Sequence, residues 1–131
     1  MLNGNSRCFR VHGITPEVEN QMYAFLQGAV CCWCKNRQDE WFSARDLVGG
    51  DNFFWQGTPM YPLYEYYASF EMGEDYAVSE AGKALGRLLK RVIVDDKRTF
   101  DTRSGYMSHQ YRWTREEDDN HIPQWLNNIC S

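Results

Sequence analysis

One stretch, residues 78–113, limits the possible folds of this chain more than any other. Val78, Ala81, Leu85, Leu88, Leu89 and Val92 recur at helical spacing, and Lys83, Arg87, Lys90 and Arg91 fall between them. That pattern predicts an amphipathic helix over about 78–92 with a basic outer side. Asp95-Asp96 ends it. Residues 98–103 and 106–113 then read as two strands around Ser104-Gly105. Alternation puts Tyr111 and Trp113 on one face of the second strand, and Gln110 and Arg112 on the other. Just upstream, Thr58-Pro59 opens a shorter helix over about 59–70 by N-cap and Pro logic. Its apolar face is Met60, Leu63, Tyr64, Tyr67 and Phe70, and Met72-Gly73-Glu74-Asp75 is a turn.

The remainder adds a long helix and a short one. Thr15-Pro16-Glu17 is a helix start, followed by the stripe Val18, Met22, Phe25, Leu26, Ala29 and Trp33. Glu40-Trp41-Phe42 reads as a short strand. Ser43-Ala44-Arg45-Asp46 has capping-box spacing, so a helix over about 44–48 should stop at Gly49-Gly50. At 131 residues the chain has the size of one domain. Within it, 14–57 holds the N-terminal helix, short strand and aromatic loop. Residues 58–113 form the helix–helix–hairpin core, and 114–131 an acidic tail. The expected class is α+β and helix-rich.

Charge divides the chain along the same lines. The net charge is −4, yet residues 83–115 carry nine Lys and Arg against three Asp. Residues 1–82 carry five basic residues against eleven acidic ones, and 116–131 four acids with no Lys or Arg. A localised basic block in an acidic protein points to a polyanionic partner.

A helix, a turn, a basic helix and a basic hairpin, in that order, make the layout of a winged helix-turn-helix with an extra N-terminal helix. In that geometry the second helix enters the major groove and the hairpin wing meets the flanking phosphates. Lys83, Arg87, Lys90, Arg91, Arg98, Arg103 and Arg112 are the expected nucleic-acid contacts, and double-stranded DNA the expected partner. Arg87 or Gln110 would reach base edges. The residues Leu63-Tyr64, Tyr67, Ser79, Gly82 and Gly86-Arg87-Leu88-Leu89, then Arg98, Gly105 and Tyr111-Arg112-Trp113, resemble the winged-helix module at the C-terminus of poxvirus- and phage-type primase-helicases. The likeness spans about 58–113. It implies a DNA-contacting or protein-docking wing of phage or mobile-element origin. The helicase activity of that family does not carry over, because no Gly-x-x-x-x-Gly-Lys-Ser/Thr occurs.

The other candidate chemistry is sparse. Cys31 and Cys34 form a Cys-x-x-Cys, but zinc needs four ligands and no second pair exists among Cys8, His12, His109, His121 and Cys130. The cysteines read as core or partly buried thiols, with no metal and no cofactor. No nucleophile–base grouping is visible, so a non-enzymatic protein is expected. Phe53, Phe54 and Trp55, with Tyr61, Tyr66 and Trp125, read as covering the core or a self-association (homodimer) face, and where exposed Phe53, Phe54 and Trp55 are the candidate partner-binding residues for a protein target. An acidic inhibitor or adaptor using the same scaffold is the alternative to DNA binding. The absence of a secretory signal and of any apolar run of about 18 residues predicts a cytoplasmic protein with no membrane partner.

Overall fold

The computed structural model describes residues 14–50, 55–105 and 108–117. The fold is α+β and helix-rich. Among the described residues, four helices, α1 (Pro16–Asn36), α2 (Ala44–Val48), α3 (Tyr61–Ala68) and α4 (Glu74–Asp95), precede an antiparallel hairpin of β1 (Arg98–Gly105) and β2 (Ser108–Glu117).

Local sequence explains most of these boundaries. The Thr15 hydroxyl accepts from the Val18 amide at 3.3 Å, Pro16 opens α1, and Glu17 and Glu19 sit in its first turn, where the helix dipole favours acids. The Ser43 amide donates to Asp46 Oδ2 at 2.8 Å, closing the capping box of α2. Gly49 ends that helix at φ +87°, a conformation that costs a residue bearing a Cβ about 1–2 kcal/mol. Gly49→Ala should therefore lower stability by about 1 kcal/mol, even though an added Cβ would meet nothing within 4 Å. Urea denaturation of the two proteins checks this.

Several boundaries differ from the sequence reading. α3 starts at Tyr61, not Pro59, because the Thr58 hydroxyl is already used. It donates to the Trp55 carbonyl at 2.7 Å and accepts from the Met60 amide at 3.1 Å, fixing a separate turn ahead of the helix. α4 starts at Glu74, a full turn before Val78, with Glu74 and Asp75 against its positive end. In the hairpin, Gly105 lies opposite Ser108, so Ser104 and Gly105 are strand residues. β2 also runs on to Glu117, whose carboxylate pairs with Lys97 at 3.2 Å, so residues 114–117 of the expected tail belong to the sheet. Residues 118–131 lie outside the described residues.

The core is built on α4. Ala81, Ala84, Leu85, Leu88, Leu89 and Val92 pack with Met22, Leu26 and Val30 of α1 and with Leu63 of α3. Removing this apolar surface from water is the main stabilising term. The hairpin joins the helices through Phe42, which exchanges backbone bonds with Tyr111 at 2.9 and 2.8 Å. Its ring lies against Trp33, Phe100 and Tyr111.

Trp55 takes the core placement, one of the two readings left open for it. It is 2% exposed, within the core, and its indole N–H donates to the Gly50 carbonyl at 3.3 Å. With the indole's only polar group satisfied internally, the whole ring is buried, which removes Trp55 from any partner-binding surface. Phe53 and Phe54 lie outside the described residues.

Candidate nucleic-acid interface

The seven basic residues expected at a nucleic-acid surface fall into three groups. Lys83, Arg87 and Lys90 occupy one exposed face of α4, spanning about 10 Å at 1.5 Å per residue. Lys83 pairs with Glu80 at 3.2 Å, an exposed pair of small energetic weight. Among the described residues, Arg87 and Lys90 pair with no carboxylate. Gly86 adjoins this face, and a Cβ there would meet nothing within 4 Å. The backbone is therefore open to close approach between the cations. On α3, burial pushes the Tyr67 hydroxyl pKa up, with Arg87 opposing the rise and Glu80 adding to it. This places Tyr67 beside the basic face.

Arg103 and Arg112 form the second group. Register sets Asp101 opposite Arg112 and Arg103 opposite Gln110, so all four share the polar face of the hairpin. Trp41 lies against them. Its ring centroid is 4.1 Å from the Arg103 guanidinium carbon and 4.7 Å from that of Arg112. Stacking on an indole holds a guanidinium in place while leaving its edge donors available. Arg103 Nε donates to Gln110 Oε1 at 2.6 Å, and Arg112 pairs with Asp101 at 3.1 Å. The Gln110 carbonyl oxygen is thus occupied by Arg103, while its amide N–H groups remain available. Sequence reasoning assigned Trp41 only to a strand. The signal for its outward role was its neighbour Phe42, whose burial in an extended segment turns Trp41 the opposite way.

Arg91 and Arg98 point inward. Arg91 Nε is 3.7 Å from Asp95 Oδ2, with side-chain exposures of 16% and 1%. Tyr23 donates to the same oxygen at 2.6 Å. Burial, reinforced by that hydrogen bond, drives the Tyr23 hydroxyl pKa well above its ordinary value. Arg98 Nη1 reaches both Asp96 oxygens at 3.1 Å, and Nη2 donates to Cys31 Sγ at 3.5 Å. These two arginines tie α1, α4 and β1 together and present little surface to a ligand.

The three described cysteines differ in access. Cys32 is exposed, Cys31 half-buried and Cys34 buried. Desolvation pushes the Cys34 thiol up to about 11, the Arg98 charge opposing it. The thiol is favoured in the fold, so the stability it adds is complete below 9.0 and is lost as pH rises through about 11. At pH about 8, iodoacetamide should label Cys32 and spare Cys34 in native protein, as read by peptide mass spectrometry. Equal labelling would contradict the burial. Among the described residues no group of three His, Cys, Asp or Glu side chains is placed to hold a metal. No helix among them is long and apolar enough to cross a membrane.

No protein-family model, curated protein or solved structure matches the chain.

Proposed function

We propose that this chain is a non-enzymatic, double-stranded-DNA-binding winged-helix protein with a regulatory or replication-accessory role, encoded by a phage or mobile element. α3 and α4 form the helix-turn-helix, and β1–β2 is the wing. The Phe42–Tyr111 bridge stands where a winged helix carries its small first strand. The origin rests on the resemblance to phage-type primase-helicase modules.

The observation that carries this reading is the exposed Lys83–Arg87–Lys90 face of α4, with two of its three cations free of carboxylates among the described residues. Arg103 and Arg112, held on Trp41, add two cations on the wing. Lysines and arginines displace condensed counterions from phosphates, and that release drives binding.

The test is anisotropy of a labelled random duplex with the full chain. If all five cations meet phosphates, affinity should fall by about 500-fold between about 50 and 200 mM salt. Absence of binding at about 50 mM salt would overturn the proposal.

A further inference from the structure

The knuckle between α3 and α4 leaves apolar side chains in water. Phe70 is 44% exposed and Met72 66% exposed. Among the described residues they are two of three large hydrophobics exposed to this degree, the third being Val94. Phe70 lies outside the core because α3 ends at Ala68, before the apolar stripe that was expected to bury it. Its ring packs against Tyr66, Tyr67 and Tyr76, at centroid distances of 5.0, 6.1 and 6.2 Å. The result is a preformed aromatic platform, with exposed Met72 two residues along the chain from Phe70. Methionine adapts its shape to an incoming side chain at little cost.

Carboxylates dominate the charge around this platform, with Arg87 at its Tyr67 side. Glu65, Glu71, Glu74 and Asp75 are all exposed, and none has a cationic partner among the described residues. No Lys or Arg occurs between Arg45 and Lys83. Such a surface repels phosphate, so it cannot extend the DNA-binding face. Two copies meeting through it would bring eight carboxylates together around the contact. An apolar platform ringed by unpaired acids is complementary to a partner with an apolar anchor flanked by Lys or Arg.

The geometry points to a docking site for a basic amphipathic helix of another protein, seated on Phe70, Met72 and the three tyrosines and held by the surrounding carboxylates. The site adjoins the basic face of α4 at Tyr67 and differs from it in charge. A chain with both surfaces would bring a basic protein segment to DNA, and the docking site stands whether or not DNA is bound.

The probe is a labelled synthetic helix of about 16 residues, with leucines along one face and lysines elsewhere. A scrambled peptide of the same composition, lacking the apolar stripe, is the control. The full chain should bind the amphipathic peptide at least about tenfold more tightly than the scrambled one. Phe70→Ser/Met72→Ser should weaken that binding by about tenfold or more. Both side chains are exposed, so the variant should fold, and unchanged duplex binding or circular dichroism checks this. Glu65→Gln/Glu74→Gln/Asp75→Asn should weaken it less and flatten its salt dependence. Lys83→Ala/Arg87→Ala/Lys90→Ala should not weaken it. Equal binding of the scrambled peptide, or no effect of Phe70→Ser/Met72→Ser, would overturn the assignment. So would sedimentation of the wild type as a dimer that this double variant converts to monomer, because the occupant would then be a second copy.

Discussion

Replacing Asp95 with alanine should cost about 3–5 kcal/mol of folding stability, among the largest effects of any single polar substitution in this chain. Asp95 is 3% exposed. Its carboxylate accepts the Tyr23 hydroxyl from α1 at 2.6 Å and faces Arg91 at 3.7 Å. Alanine would strand a mostly buried guanidinium and a hydroxyl that has lost its acceptor. The penalty comes from those two desolvated groups rather than from the energy of the pair itself. Asp95→Asn keeps an acceptor near Tyr23 and should cost less. Urea unfolding checks both, with the midpoint falling and the slope unchanged. Combining Asp95→Ala with Tyr23→Phe should recover about 1 kcal/mol or more relative to the summed single effects, because the two groups form one network. A loss below about 1 kcal/mol for Asp95→Ala would mean that water reaches the network.

The second large effect concerns DNA. Lys83→Ala/Arg87→Ala/Lys90→Ala should lower the logarithmic salt slope of duplex binding by about 2.7, the share of three phosphates. Only Arg103 and Arg112 of the five proposed cations would remain. The drop in affinity between about 50 and 200 mM salt should then shrink from about 500-fold to about 12-fold. All three side chains are exposed on α4, so stability should change by no more than about 0.5 kcal/mol. Arg91→Ala makes the contrasting control. It should destabilise the fold through Asp95 and leave the salt slope of the folded fraction unchanged.

Much of the architecture could be read before the structure. Thr15-Pro16 and the stripe from Val18 to Trp33 located α1, while Ser43, Asp46 and Gly49 bounded α2, because capping is local chemistry. The basic face was harder to divide. At about 100° per residue, Lys90 lies about 20° from Lys83 around α4, but Arg91 lies about 80° away, at the edge of the buried arc. There it meets Asp95, one turn further on, so residue type alone gave Arg91 the wrong surroundings. Arg98 was misplaced for a different reason. Its partners Asp96 and Cys31 are brought together by the packing of α1 against the end of α4, which no local pattern records. Phe70 left its expected place, and Trp55 took the core one of the two left open for it. Trp55 fills the core from a loop, and Phe70 is left in water because its helix stops two residues early. Both outcomes depend on how much space the helices leave, a tertiary property.

The most direct measurement is backbone-amide chemical-shift mapping of the full chain titrated with a duplex of about 16 base pairs at low salt. The proposed interface requires perturbations concentrated at Lys83, Gly86, Arg87 and Lys90 and on the hairpin at Arg103 and Arg112, with residues 65–76 unaffected. Perturbations that spare α4, or none at all at saturating DNA, would contradict it.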